Sequence, residues 1–205
     1  MKTFLTILII PFFCFADLAT ELKNIQEAWG KTKTYTADFK MRKTSLTFRR
    51  STNYLGDLVI QRPNKIVWKQ KDGFIQILNG KNFKTITPKK DGSGNRIEEY
   101  ADVSKIGDVD FLNFLSGDGK LTTSYDAKLL KEDKKSVTLE LFAKKDSSES
   151  YVAEFNKTGY TLIALITKTS GNSSRVDFSN TKINEPLKET FTYKVGPNDT
   201  VHKNN

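Results

Sequence analysis

Gly56–Asp57–Leu58–Val59–Ile60–Gln61–Arg62–Pro63–Asn64 is the stretch on which the fold turns. Side chains alternate across a strand, so Leu58, Ile60 and Arg62 share one face. If that face is the interior, a guanidinium points inward at the strand end. A buried unpaired charge is costly, so Arg62 has to find acceptors there: carboxylates, or the free carbonyls at a helix C-terminus. The plainer alternative places Arg62 at the rim, with its head group in water. Pro63 ends the strand in either case, because it cannot donate to a ladder.

Outward from this strand the period stays near two. Tyr35, Ala37, Phe39 and Met41 alternate with polar residues, and short apolar runs follow at residues 66–68, 74–78 and 83–87. Further runs stand at residues 121–130, 136–143, 151–155, 161–167, 175–179 and 191–195, with Gly, Asn, Asp or Pro between most of them. Short strands at roughly ten-residue spacing, joined by turn signals, predict an antiparallel meander closed or nearly closed on itself. No alternation of strands with helices argues for a parallel sheet.

Three segments break the pattern. Leu18, Leu22, Ile25 and Trp29 recur at helical spacing and Gly30 follows, which predicts an amphipathic helix of about three turns. Residues 110–117, Asp-Phe-Leu-Asn-Phe-Leu-Ser-Gly, read as a short helix too apolar for a solvated loop. It either plugs one end of a barrel or covers a cavity. Residues 89–96, Lys-Lys-Asp-Gly-Ser-Gly-Asn-Arg, read as a flexible loop.

The first sixteen residues are set apart. Lys2 precedes an apolar stretch too short to span a bilayer, and Ala16 precedes polar sequence, as in a secretory signal peptide cut after Ala16. Lipidation at Cys14 fits less well, since such signals want small residues before the cysteine and Phe12 and Phe13 stand there. Residues 1–16 are therefore expected to be a signal peptide and residues 17–205 a single domain. With 14 Phe, 7 Tyr and 2 Trp, a domain of this length can bury a sizeable core without disulfides.

The sequence carries no pattern that favours catalysis. His202, the single histidine, stands in a polar C-terminal tail, so neither a Ser-His-Asp arrangement nor a zinc site is favoured. Gly117–Asp118–Gly119–Lys120 resembles a phosphate loop only superficially: Phe114 replaces the upstream glycine and Leu121 the hydroxyl residue. No carboxylate pair recommends itself for glycoside hydrolysis. The net charge of +9 is spread through the chain in small groups. It suits solubility or attraction to anionic membranes and acidic partners better than nucleic acid.

The pattern Gly-Asp-Leu-x-x-x-Arg-Pro-Asn-x-x-x-Trp, at residues 56–68, resembles the LolA family of periplasmic outer-membrane lipoprotein carriers. Tyr35–Thr36–Ala37–Asp38–Phe39 is similar to the family's first strand, and Ile75–Gln76–Ile77–Leu78–Asn79–Gly80–Lys81 to its strand entering a tight turn. Phe111–Leu112 onward resembles its short-helix segment, and Phe191–Thr192–Tyr193 with Pro197 its closing strand, although Gly196–Pro197–Asn198 departs from the family's Pro-x-Gly. The resemblance implies a mainly β (α+β) protein, an incomplete antiparallel barrel of about 11 strands, covered by the N-terminal helix and a short helical lid. It implies that Arg62, positioned by Pro63, latches the lid. It also implies an acyl-chain cavity, for which Leu22, Phe39, Leu58, Ile60, Trp68, Ile77, Phe111, Phe114 and Leu115 are the candidates. The function implied is non-enzymatic: a periplasmic chaperone that takes lipoproteins from an inner-membrane ABC transporter to an outer-membrane acceptor. A monomer without cofactor, metal or nucleic acid is expected. A lipid- or lipoprotein-sensing interaction domain on the same fold, and an envelope hydrolase, are the alternatives.

Overall fold

The computed structural model describes residues 17–103, 115–117, 121–144, 150–168 and 171–204. The expected signal peptide, Phe111 and Phe114 therefore lie outside the described residues.

Helix α1 (Leu18–Lys31) is the first element described. The Asp17 carboxylate accepts a hydrogen bond from the Thr20 N–H at 2.8 Å and caps it. That bond holds the exposed carboxyl below its ordinary pKa. Six strands follow as a meander: β1 (Thr34–Ser45), β2 (Arg50–Gln61), β3 (Lys65–Gln70), β4 (Ile75–Asn79), β5 (Asn82–Pro88) and β6 (Asn95–Tyr100). A four-residue helix α2 (Leu121–Ser124) leads into the second meander: β7 (Tyr125–Glu132), β8 (Ser136–Ala143), β9 (Ser150–Asn156), β10 (Thr161–Lys168) and β11 (Asn172–Ile183). Strand β12 (Thr200–Asn204) closes the chain.

The two meanders join where β1 pairs with β11, giving one sheet in the order β12-β6-β5-β4-β3-β2-β1-β11-β10-β9-β8-β7. It does not close, and β12 and β7 are its edges. The pairings are antiparallel except β12 with β6, which is parallel. Register shifts in β1 near Asp38, in β10 near Ala164 and in β7 near Lys131 supply bulges, which bend a sheet toward a barrel.

The open antiparallel barrel is as expected, with twelve strands rather than about 11. Other expectations need correction. Residues 121–124 are helical, so β7 starts later than the apolar run suggests. Residues 191–195 form no strand; Phe191 and Tyr193 instead pack on the outer face of the sheet. The loop expected at residues 89–96 gives way to β6 at Asn95. The polar tail around His202 is an ordered edge strand.

The core lies in two layers. Inside the barrel, Ile25 and Trp29 of α1 meet Tyr35, Phe39, Leu58, Ile60, Leu139, Phe155 and their neighbours. Outside it, Val67, Ile77, Ile86 and Ile97 are covered by Leu187, Phe191 and Tyr193 of the segment before β12. This outer strap is pinned by Lys69 to Glu189 at 2.6 Å and by Asp199, which accepts from the N–H groups of Gly196 and Asn95 at 2.8 Å each.

Candidate functional site

The inner face of β1 to β4 carries the apolar centre. Gly56 of β2 stands opposite Phe39 of β1, and a side chain at Gly56 would meet the Lys69 carbonyl and the Phe39 ring. Its absence lets the Phe39 ring lie across the strand and stack on Trp68, with centroids 3.9 Å apart and planes 26° apart. Phe178 of β11 meets Trp68 edge-on at 6.4 Å. Between them is a cavity of about 80 Å³ lined by Leu58, Trp68, Leu78, Leu115, Leu165 and Phe178 among others, with Gln76 as its polar member.

One end of this interior is covered by the helical turn at residues 115–117, where Leu115 and Ser116 are buried. The turn that follows β2 reaches it. Arg62 is tied by its N–H to the Lys33 carbonyl at 2.8 Å, and the Arg62–Pro63 peptide is cis. The Asn64 N–H donates to the Ser116 carbonyl at 3.2 Å, while the Asn64 carbonyl accepts from the Gly80 N–H. Gly117 has φ +96°, and a Cβ built on it would collide with Nε of Arg62. The half-buried guanidinium thus occupies the space a side chain at Gly117 would need.

The sequence-derived residues divide as follows. Leu58, Trp68 and Leu115 line the cavity. Phe39 and Ile60 are buried in the same inner cluster, and Leu22 of α1 packs on it half-buried. Ile77 belongs elsewhere: the β3–β4 register pairs it with Val67 on the outer face, under Phe191. Its neighbours Leu78 and Gln76 line the cavity, so the expectation of Ile77 in the cavity is corrected by one position along β4. Leu165 and Phe178 join the site without having been candidates. Their strands stand out in the sequence, but nothing in a local pattern says that β10 and β11 face β3 across the barrel.

Ionisable groups near the interior serve structure. Burial pushes the Tyr35 phenol up to about 12, and its hydroxyl donates to the Leu162 carbonyl at 3.0 Å. Lys157, at the β9–β10 turn, reaches Glu21 of α1 at 2.9 Å and Glu132 of β7 at 2.5 Å. Burial works against its charge, but the two carboxylates raise its pKa above the ordinary lysine range. Among the described residues no group of three His, Cys, Asp or Glu is placed to hold a metal. No helix among them is long and apolar enough to cross a membrane.

A family model described as outer membrane lipoprotein carrier protein LolA matches residues 30–194, about four-fifths of the chain. The chain belongs to the LolA family. No curated protein sequence matches the chain. Among solved structures, an uncharacterized conserved protein from Thermus thermophilus shares the fold at a TM-score of 0.55. It is 8% identical, and the match covers 92% of this chain and 100% of that one. A LolA superfamily protein from Nitrosomonas europaea aligns at a TM-score of 0.42 and 12% identity, over 87% of this chain and 99% of that one. A putative outer membrane lipoprotein-sorting protein domain from Vibrio parahaemolyticus aligns at 0.44 and 15% identity, over 83% and 92%.

Proposed function

We propose that this LolA-family chain is a periplasmic carrier, exported by cleavage after Ala16. It binds the acyl chains of lipoproteins inside the half-barrel and carries them from an inner-membrane ABC transporter to an outer-membrane acceptor. The observation that supports this best is an apolar cavity capped by a helical turn against which Arg62 rests. Phe39, Leu58, Ile60, Trp68, Leu115 and Leu22 form the acyl-contacting surface in this reading. Ile77, on the outer face, does not.

The volume of the cavity says how cargo is accommodated. A cavity of about 150 Å³ takes up benzene, and the one here is about 80 Å³. In this reading the conformation described is the closed one, and an acyl chain has to spread the sheet and lift residues 115–117. The gain is ample, since each buried CH₂ contributes about 0.8 kcal/mol and a sixteen-carbon chain about 12 kcal/mol. The opposing latch, a few hydrogen bonds around Arg62, Asn64 and Ser116, contributes about 1–3 kcal/mol each. No catalytic group is needed for such an exchange.

The test has two arms. Native mass spectrometry of the protein taken from its own periplasm should show a bound lipid-modified species. In an in vitro transfer assay, Arg62→Leu should load cargo but deliver it several-fold more slowly, and delivery at the wild-type rate refutes the latch.

A further inference from the structure

The long strands β1 and β2 run beyond the apolar interior and end in a hairpin tip whose Leu46 and Phe48 belong to neither apolar cluster. Between Phe39 and Gly56 the sequence holds Lys40, Arg42, Lys43, Arg49 and Arg50 and no acidic residue. Among the described residues none of these five cations is in an ion pair. The nearest acid on the neighbouring strand, Asp177, is engaged by Arg175 at 2.6 Å. At the tip itself Leu46 is 55% and Phe48 75% exposed, the latter the most exposed large apolar side chain described. This exposure is held in place, because the Leu46 N–H donates to the Gly171 carbonyl at 3.0 Å and moors the tip to the β10–β11 turn.

Beneath Phe48 a groove of about 800 Å³ opens between the hairpin and β11. It is lined by Lys43, Arg50 and the hydroxyls of Thr44, Ser45, Thr167 and Ser174, among others. Two cations amid hydroxyl donors suit phosphate oxygens. A pair of exposed apolar side chains with cations next to it in the hairpin is the arrangement of an interfacial anchor: the apolar groups enter the acyl boundary and the cations stay at headgroup depth. An acidic protein partner would account for the cations but gives no reason to hold Phe48 out on a projection.

We propose that the β1–β2 hairpin tip docks on an anionic phospholipid bilayer, inserting Leu46 and Phe48 while Lys43, Arg49 and Arg50 meet lipid phosphates. Strands of twelve residues put the tip about 35–40 Å from Arg62. Docking by the tip therefore leaves the opposite end of the barrel free, and the proposal stands whether or not the carrier reading does.

The experiment is co-sedimentation of the exported protein with vesicles of phosphatidylglycerol and phosphatidylethanolamine, against vesicles of phosphatidylcholine alone. Binding is expected to the first at low salt, and at least about tenfold weaker to the second. Each cation near the surface is worth about fivefold, so Arg49→Ser with Arg50→Ser should weaken partitioning about twenty-five-fold. Phe48→Ser should weaken it about tenfold. Lys90→Ser with Lys128→Ser removes the same charge from other positions and should change partitioning less than twofold. Lipids brominated on their acyl chains should quench Phe48→Trp more than the wild type, whose two tryptophans, Trp29 and Trp68, stand in the interior. Circular dichroism checks that every variant is folded. Equal partitioning of wild type and tip variants, an equal loss from the Lys90/Lys128 pair, or vesicle binding without quenching would each overturn the proposal.

Discussion

Gly56 shows how much one missing side chain does. A Cβ built at its inward position on β2 would run into the Lys69 carbonyl and stand 2.5 Å from Phe39 Cζ. Gly56→Ala must push apart two strands and unstack Phe39 from Trp68. Overpacking of this kind costs about 1–3 kcal/mol, and a contact with backbone belongs at the top of that range; a lowered urea midpoint at unchanged slope would record it. Tyr35 gives a signed pH dependence. Its folded pKa, about 12, lies above the ordinary 10.0. Its contribution is therefore complete below pH 10 and lost as pH rises from 10 through about 12, in total about 2–3 kcal/mol. Tyr35→Phe loses the hydrogen bond to Leu162 and should be about 1 kcal/mol less stable at pH 8. Chemical denaturation repeated up to pH 12 should show that deficit shrinking and then reversing, and a constant deficit would count against the buried phenol. At this scale Arg62 is legible in the sequence, because a charge on the Leu58–Ile60 face violates the alternation. Gly117 is not, since its need for φ +96° and for the space filled by Arg62 arises only from tertiary contact.

The element most in need of fastening is α1. Its buried face carries Ile25 and Trp29 and also Glu21, which is 1% exposed. Lys157 joins that carboxylate to Glu132, tying the helix to the β9–β10 turn and to the edge strand β7. Removing one partner of a buried pair leaves an uncompensated charge and costs about 3–5 kcal/mol. Lys157→Met should lose stability in that range, with the amides of α1 the first to gain hydrogen exchange. Adding Glu21→Gln to it should recover part of the loss, and no recovery would mean that Glu21 is not what Lys157 neutralises. The legibility of elements follows the same physics. From Val137 to Ala143 burial alternates because one face of β8 lines the core and the other does not, and the expected run at residues 136–143 matches the strand. Strand β6 is hidden in the sequence because Asn95–Tyr100 is nearly all polar. Its charge is absorbed across the ladder, where Glu99 meets Lys84 at 2.5 Å, and cross-strand compensation leaves no trace in one strand's pattern. Phe191 and Tyr193 alternate like a strand for a different reason: both press on the outer apolar face while the backbone crosses it without joining the ladder.

At the scale of the molecule, the sheet is packed unequally. Strands β3 to β6 have apolar neighbours on both faces, the inner core and the outer strap of residues 187–193. That half is the rigid wall. In the proposed carrier, widening of the interior is expected of the opposite wall, β7 to β10, whose outer edge is unpaired, and of residues 115–117. Leu165 of β10 faces the cavity from that side. Leu165→Phe sets empty-state stability against capacity. Filling a void of about 80 Å³ should leave the empty protein as stable as wild type, or up to about 1 kcal/mol more so. In the proposed carrier the same ring occupies the space offered to the acyl chain, so lipid binding should fall about tenfold while thermal unfolding of the empty protein shifts slightly upward. An ordinary hydrophobic core would gain the stability and show no second effect. Loss of binding in a protein that folds better is the combination that separates a reservoir for cargo from mere packing, and unchanged binding in a stable Leu165→Phe would place the lipid somewhere other than this cavity.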